Sequence, residues 1–319
     1  KLKKENGLDY TPAQIVVSNG AKHSLFNTFQ AILNPGDEVI IPAPFWVSYP
    51  ELVQMADGVP VIVDTREEDG FRLRLEELEA AITPRTKALV FCNPCNPTGM
   101  MYTHADLEAI AALAVKHGFF LVSDEIYEKL CYAQEQPVSI ATISPEAKAL
   151  TILINGASKA YAMTGWRIGY AACEEQIAKV MTNLQSQATS SPNSIAQAAV
   201  EAALTHGNGE VAAMVQEFKA RRDVVCAGIN AIPGMSCRVP DGAFYILINI
   251  KDLLGKSYQG VALHSAMDFA QALLDAQKVA LVPGEAFRAE GYVRVSYATS
   301  MENIQEGVRR MAAFVGELK

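Results

Sequence analysis

The stretch NGASKAYAMTGWRIGY, residues 155–170, decides how this chain is organised. It follows TILI, residues 151–154, a short apolar run typical of a buried strand in a parallel sheet. Lys159 is therefore predicted in a loop at the carboxyl end of that strand, where open α/β sheets bind ligands. Arg167 comes eight residues later, so one segment supplies an amine nucleophile and a cation that clamps anions. A single loop lysine is more often a solvated surface residue, so the other strand ends decide its role.

Strands and helices alternate on both sides of this stretch. Helical patterns separate the predicted strands, which are EVIIP (38–42), VPVIV (59–63), KALVFC (87–92), FFLVS (119–123), TILIN (151–155) and RIGYAA (167–172). This alternation predicts an α/β fold with a doubly wound, mostly parallel sheet and helices on both faces.

The last third of the chain has a different pattern. A long helical segment begins at residue 208, and the strands FYILINI (244–250), VALVP (279–283) and YVRVSYA (292–298) follow it, mixed with helices at 262–276 and 301–318. This mixture is typical of a small α+β domain. We place the boundary inside the long helix, so that residues 1–222 form a large domain and residues 223–319 a smaller C-terminal one.

Composition narrows the functional classes. The chain has 319 residues, half of them hydrophobic, and a net charge of −8 with both signs interspersed. Without a basic stripe, we expect no nucleic-acid partner. No apolar run reaches the roughly 18 residues that a membrane span needs, and no signal-peptide pattern opens the chain. We therefore expect no membrane partner and a cytoplasmic location.

The six cysteines and five histidines do not form a metal pattern. Cys92 and Cys95 make a CxxC pair, but no second CxxC and no HExxH supplies further ligands. We expect all six cysteines to be free thiols and no metal site. At the other end, KLKKENGLDY (1–10) predicts the last turns of a helix that ends near Gly7, and we expect a segment to precede it.

Three more residues follow predicted strands at the same edge of the sheet. Trp46 follows EVIIP, Asn96 follows ALVFC and Asp124 follows FFLV. Each has an ordinary interpretation, respectively as a core aromatic, a turn residue and a helix N-cap. Together with the loop lysine, and with phosphate donors predicted at Gly20 and Arg167, they are the residue types that a pyridoxal phosphate site needs.

The motifs around these residues also carry a family resemblance along the whole chain. They are SNGAKHSLFN (18–27), PFWVSYPE (44–51), NPCNPTG (93–99), SDEIYE (123–128), SKAYAMTGWRIGY (158–170) and YVRVSYATS (292–300). In this order they resemble class I aminotransferases of fold type I, most closely the bacterial aspartate aminotransferases, some of which also accept prephenate. Cys95 then occupies the variable position of NPxNPTG, which makes the CxxC pair accidental.

The resemblance implies a role for each residue around the cofactor ring of pyridoxal 5'-phosphate. Lys159 would bond covalently to the cofactor and then carry the substrate's α-proton. Asp124 would pair with the pyridine nitrogen and keep it protonated. Asn96 and Tyr127 would donate hydrogen bonds to the ring oxygen, and Trp46 would stack on the ring. Lys159, Asp124 and Tyr127 are thus the implied catalytic residues.

The resemblance likewise implies how phosphate and substrate are held. The implied phosphate ligands are backbone groups of Gly20, Ala21 and Lys22 and the side chains of Ser158 and Arg167. Arg294 would clamp the substrate α-carboxylate, and Lys22 would meet a second carboxylate, with Trp46 and Asn96 beside the substrate. Because YVRVSYA alternates, we expect Arg294 on the same face as Tyr292 and Ser296.

The implied reaction is transamination between L-aspartate, or a related L-amino acid, and 2-oxoglutarate by a homodimer. The chain departs from the family pattern in two ways. Gly156 replaces a serine that many relatives use to bind the phosphate. Relatives also have a further segment ahead of this chain's start, which includes part of the small domain. Alternatives are a transaminase of other specificity, a β-lyase, or a ligand-sensing domain of a transcription regulator. A nicotinamide-binding domain is disfavoured because no GxGxxG motif opens any βα unit.

Overall fold

A computed structural model describes residues 1–207 and 209–319 in full. The strands are β1 (Ile15–Ser18), β2 (Glu38–Ala43), β3 (Val59–Asp64), β4 (Thr86–Cys92), β5 (Phe120–Asp124), β6 (Thr151–Gly156), β7 (Gly169–Ala172), β8 (Ser236–Cys237), β9 (Tyr245–Asn249), β10 (Ser257–Tyr258), β11 (Val261–Ala262), β12 (Val282–Pro283) and β13 (Tyr292–Ser296). The helices are α1 (Leu2–Asn6), α2 (Ala21–Ile32), α3 (Ser48–Gln54), α4 (Leu75–Ala81), α5 (His104–His117), α6 (Pro145–Leu150), α7 (Ala157–Ala160), α8 (Glu175–Ala188), α9 (Ser194–His206), α10 (Asn208–Asn230), α11 (Ala266–Gln277) and α12 (Met301–Gly316).

The larger sheet has seven strands in the order β1-β7-β6-β5-β4-β2-β3. Its pairs are parallel except those that β7 makes with β1 and β6. Helices cover both faces, so the central strands are apolar throughout; Val90, Val122 and Ile152 are fully buried. The predicted fold class, an α/β fold with a mostly parallel sheet, is confirmed. The carboxyl ends of β2, β4, β5 and β6 lie at one edge.

Helix ends follow local chemistry. At the start of α5, Thr103 and Asp106 cap each other, with the Asp106 N–H donating to Thr103 Oγ1 at 3.2 Å and the Thr103 N–H to Asp106 Oδ2 at 2.8 Å. The helix ends at Gly118, whose φ of 74° a side chain would strain. The predicted helix end at Gly7 is confirmed by its left-handed φ of 69°. None of the helices in the described part of the chain is long and apolar enough to cross a membrane.

The smaller sheet is antiparallel, in the order β12-β13-β9-β8. The prediction of a five-residue strand in VALVP is wrong, because only Val282 and Pro283 pair with β13. The preceding helix α11 ends at Gln277 with Lys278 as its C-cap, so residues 279–281 span the gap from that cap to the sheet. Pro283 lacks an N–H and ends the ladder.

Helix α10 runs unbroken through Arg222, whose Nη1 donates to the Pro240 carbonyl oxygen at 2.9 Å. One apolar cluster includes Val122 of the large sheet, Val225 of this helix and Val293 of the small sheet. Helix α10 therefore packs against an apolar cluster to which both sheets contribute. The domain boundary at 222/223 stays a prediction.

Candidate active site

Side chains from both sheets converge on a cavity of about 300 Å³ at the carboxyl edge of the large sheet. It is lined by Ala21, Lys22, Trp46, Tyr49, Cys92, Asn96, Asp124, Ile126, Tyr127, Ser158, Lys159, Thr164, Arg167, Tyr245 and Arg294. Every residue predicted for the site except Gly20 is in this lining. Open parallel sheets bring loops together at this edge, which explains why residues far apart in sequence meet here.

Lys159 lies on the single helical turn α7 and not in a loop as predicted. The turn begins directly after Gly156, where a Cβ would lie 2.8 Å from the Ile168 carbonyl oxygen and 2.9 Å from the Gly169 Cα. The close approach of β7 therefore requires glycine at 156 and leaves no room for serine there. Burial lowers the pKa of Lys159, as do Arg167 and Arg294, while Asp124 opposes them. A lowered pKa favours the neutral amine that a nucleophile needs.

Asp124 is the last residue of β5 and is buried. Tyr49 Oη donates to its Oδ2 at 2.8 Å, and the Ile126 N–H donates to its Oδ1 at 3.2 Å. Burial raises the pKa of Asp124 to about 6, although hydrogen bonds from Tyr49 and Ile126 and the charge of Lys159 work against that rise. A carboxylate this deep is stabilised best by a cationic partner such as a protonated ring nitrogen.

Tyr49 is a site residue that the sequence analysis missed. It is fully buried at the start of α3, three residues after Trp46, and the two rings meet edge to face with centroids 5.5 Å apart. No local signal in WVSY (46–49) indicates this role, because Trp46 precedes the helix and the two rings do not share a helical face.

Arg294 reaches the cavity from β13 in the small sheet. Its Nη1 donates to Asn96 Oδ1 at 2.9 Å, and its guanidinium carbon lies 4.3 Å from the Tyr245 ring centroid and 4.7 Å from that of Phe287. Its buried Nε has no hydrogen-bond acceptor among the described residues. A guanidinium held flat between rings with a free donor suits two-point binding of a carboxylate.

Tyr127 and Tyr245 form the cavity wall beside Arg294. Tyr127 Oη donates to Tyr245 Oη at 3.2 Å, and the rings meet edge to face. Tyr245 was not predicted for the site, since it lies inside the apolar run FYILINI without a distinguishing motif. Its hydroxyl and its ring face both serve the site.

The opposite end of the cavity is built for an anion. Ala21 and Lys22 start the twelve-residue helix α2, so their N–H groups have no acceptor within the helix. The Gly20 N–H donates to the Ser18 carbonyl oxygen at 2.7 Å, and the role of Gly20 as a phosphate donor stays a prediction. A Cβ on Gly20 would lie 2.2 Å from Arg167 Nη2, so this glycine makes room for the arginine.

Arg167 is held by backbone oxygens. Its Nη1 donates to the Thr164 carbonyl at 2.9 Å and its Nη2 to the Asn19 carbonyl at 3.3 Å. Ser158 lies beside it in the cavity lining. At the mouth, Lys22 is exposed and its Nζ lies 4.9 Å from the Trp46 ring centroid, which places a second cation over the aromatic face.

The CxxC pair is buried rather than reactive. Burial raises the pKa values of the Cys92 and Cys95 thiols, so neither is a thiolate at neutral pH. All six cysteines are free, and the described residues contain no group of three His, Cys, Asp or Glu side chains that could hold a metal ion. Cys92 does line the cavity, as part of its apolar wall.

Known proteins match the chain in both sequence and structure. The sequence profile of aminotransferase class I and II covers residues 1–311. This chain belongs to that family. The aminotransferase is 48% identical over 315 residues to the aspartate aminotransferase of Geobacillus stearothermophilus, a match that covers 99% of the chain and 79% of the relative. It is 43% identical over 318 residues to the aspartate/prephenate aminotransferase of Nitrosomonas europaea, covering 99% of the chain and 80% of the relative.

The crystal structure of the aspartate aminotransferase from Rhizobium meliloti superposes on this aminotransferase with a TM-score of 0.97. The match covers the whole chain and 80% of that structure, at 43% identity. The fold and the family resemblance inferred from the motifs are therefore confirmed.

Membership in this family implies a pyridoxal phosphate cofactor, and the cavity residues fit one. A deeply buried carboxylate, Asp124, faces a lysine of lowered pKa across the same cavity. At the other end are free helix N–H groups and Arg167, while Trp46 offers a ring face near them. Lys159, Asp124 and Arg167 would thus hold the cofactor by its aldehyde, its ring nitrogen and its phosphate respectively.

Proposed function

We propose that this aminotransferase transfers the amino group of L-aspartate to 2-oxoglutarate with pyridoxal 5'-phosphate as the carrier. The observation that carries the proposal is the pair of cations around one cavity, Arg294 partly buried inside and Lys22 exposed at the mouth. Each substrate carries two carboxylates, and a carboxylate that leaves water needs a paired cation. The names of the relatives from Geobacillus stearothermophilus and Nitrosomonas europaea support the same substrate.

The protein's part in the reaction follows from the arrangement of its side chains. When bound, the cofactor supplies a carbonyl that exchanges with the substrate amine and a ring that withdraws electrons from the α-carbon. Lys159 has the lowered pKa of a base that can take the substrate's α-proton at Nζ and later give it back. Asp124 would keep a proton on the ring nitrogen, and Arg294 would bind the α-carboxylate in the same cavity as Lys159 Nζ.

We further propose that the aminotransferase works as a homodimer in the cytoplasm. Trp166 and Ile195 are exposed to 48% and 73%, large values for apolar side chains. Trp166 directly precedes Arg167, whose guanidinium is also exposed although it belongs to the phosphate end of the cavity. A second copy of the chain over Trp166 would bury its apolar ring and shield the adjacent arginine from water.

The direct test is the visible spectrum of the cofactor-loaded protein. L-aspartate alone should convert the covalently bound aldehyde form of the cofactor to its amine form, and 2-oxoglutarate should restore it, with oxaloacetate and glutamate as products. D-aspartate is the control and should leave the spectrum unchanged. Release of ammonia, pyruvate and a thiol from an S-alkylcysteine, with no conversion by L-aspartate, would indicate a β-lyase and refute the proposal. Binding of aspartate without any conversion would indicate a ligand sensor and refute the proposal.

Replacing Lys22 by alanine tests the second carboxylate site. Once bound substrate shields a charge pair from water, removing one member costs about 2–5 kcal/mol, or roughly thirty- to several-thousand-fold. In the complete gene product, Lys22→Ala should lower kcat/KM for aspartate and glutamate by that order and hardly change it for alanine or phenylalanine. The matched control is Lys256→Ala, which removes an exposed lysine outside the cavity lining. An equal loss for acidic and neutral substrates would mean that Lys22 serves the cofactor phosphate.

A further inference from the structure

The turn that follows β3 contacts the small sheet at a point outside the active-site cavity. Glu67 Oε2 accepts hydrogen bonds from Tyr292 Oη and from Asn249 Nδ2, each at 2.8 Å. Tyr292 and Asn249 are direct partners in the ladder between β13 and β9. One carboxylate oxygen of the large domain, Glu67 Oε2, therefore hydrogen-bonds to both central strands of the small sheet at one pair of facing residues.

The turn that carries Glu67 is itself rigid. The Gly70 N–H donates to the Glu67 carbonyl at 2.9 Å and the Phe71 N–H to the Arg66 carbonyl at 2.8 Å. Phe71 is buried with a left-handed φ of 59°, a conformation that persists only where the surroundings enforce it. Arg238 Nη1 also donates to the Glu67 carbonyl at 3.2 Å. Glu67 is thus presented from a fixed backbone.

The tyrosine that Glu67 contacts is equally well held. Lys251 Nζ donates to Tyr292 Oη at 3.0 Å, and Phe71 meets the Tyr292 ring edge to face with centroids 5.8 Å apart. Burial and the neighbouring Glu67 carboxylate raise the pKa of Tyr292, so its hydroxyl keeps the proton that it donates. An open cavity of about 530 Å³ borders this contact and is lined in part by Glu67, so shortening the Glu67 side chain leaves no void in the apolar core.

Arg294 lies two residues beyond Tyr292 on the same strand and the same face of the sheet. Its hydrogen bond to the large domain is the one to Asn96 Oδ1, and the guanidinium must redirect donors when it takes a carboxylate. The hydrogen bond between Tyr292 and Glu67 takes no part in this change of partners by Arg294. It therefore keeps β13 at a constant height above the large sheet while the Arg294 contacts change.

We propose that Glu67 is a positioning residue for Arg294, acting through Tyr292 and Asn249 to set where the substrate carboxylate is held. This inference rests on the proposed carboxylate-binding role of Arg294. Because every amino-acid substrate has an α-carboxylate, loss of the Glu67 contact affects acidic and neutral substrates alike, which distinguishes its effect from that of Lys22.

The test compares Glu67→Ala, Glu67→Gln and Tyr292→Phe in the complete, cofactor-loaded gene product. Glu67→Ala and Tyr292→Phe should raise KM for aspartate and for alanine by the same factor, about tenfold, with kcat within about threefold of wild type. Glu67→Gln keeps a neutral acceptor and should rescue most of the loss. The dissociation constant of succinate, a dicarboxylate that cannot react, should rise by the same factor. Tyr292→Phe retains the packed ring, so it covers the case in which Glu67→Ala folds poorly.

The matched control is Glu68→Ala, because Glu68 is an exposed neighbour whose ion pair with Arg66 spans 4.0 Å. It should leave KM unchanged. Arg294→Lys separates the two hypotheses, since it should raise KM for all amino acids if Arg294 binds the carboxylate. If it does so while Glu67→Ala and Tyr292→Phe leave KM and succinate binding unchanged, the positioning role is overturned and the proposed function stands. If Arg294→Lys has no effect on KM, the carboxylate-binding role of Arg294 itself fails.

Discussion

Replacing Lys159 by alanine is expected to abolish transamination, lowering kcat by on the order of 10⁴- to 10⁶-fold. Among the described residues, Lys22 is the only other lysine in the cavity lining, and its Nζ lies over Trp46 at the mouth. Alanine therefore removes both the amine that bonds to the cofactor and the base that moves the α-proton. Folding should persist, because a smaller side chain at a half-buried position leaves the neighbouring backbone intact.

The measurement is borohydride reduction followed by mass spectrometry, together with single-turnover kinetics. Wild type and Lys256→Ala should each retain one covalently attached cofactor per chain, whereas Lys159→Ala should retain none. Covalent cofactor on another residue of Lys159→Ala would show that the assignment of the nucleophile is wrong.

Replacing Asp124 by asparagine should cost about 3–5 kcal/mol of transition-state stabilisation, or roughly a hundred- to several-thousand-fold in kcat. The amide has the shape of the carboxylate and can still accept the hydrogen bond from Tyr49 Oη. It carries no charge, however, so it cannot keep a proton on the ring nitrogen. Stopped-flow conversion of the cofactor with saturating L-aspartate measures the effect, and an unchanged rate at saturating cofactor would contradict the role.

The same substitution has a stability signature in the cofactor-free protein. Asp124 has its pKa raised from 3.8 to about 6 on folding, so the folded state holds this proton more tightly than the unfolded state. Its contribution to stability is therefore present below about pH 4 and is lost as the pH rises through 6. Asparagine does not titrate, so the variant does not lose this stability as the pH rises. The unfolding free energy of Asp124→Asn relative to wild type should therefore rise by about 2–3 kcal/mol between pH 4 and 7. Urea denaturation at several pH values measures it, and a constant difference would mean that Asp124 is not buried as a charge.

The large sheet and most of the cavity lining could be predicted from sequence because they depend on local patterns. Continuous apolar runs such as TILI indicate parallel strands, and such strands place Asn96, Asp124 and Lys159 at one edge whatever the details of packing. The family motifs then add the roles. The strand predicted for VALVP shows the limit of local patterns. Only Val282 and Pro283 pair, because the length of a strand depends on where the preceding element lies.

Contacts between residues far apart in the chain could not be predicted from the sequence. The bond from Tyr49 to Asp124 and that from Glu67 to Tyr292 join residues 75 and 225 positions apart. Neither tyrosine differs by any local signal from a core aromatic. Helices α8 and α9 were not predicted either; in α9, the exposed Ile195 interrupts the amphipathic pattern.

The register of β13 makes substrate recognition sensitive to changes of chain length. Arg294 is paired with Leu247 on one side and Val282 on the other, so its side chain faces the cavity only in this alignment. Because side chains alternate along a strand, a shift by one residue would turn Arg294 away and bring an apolar neighbour in its place. Relatives that differ by a single inserted or deleted residue between β12 and β13 must therefore absorb it in the connecting turn or lose the arginine from the site.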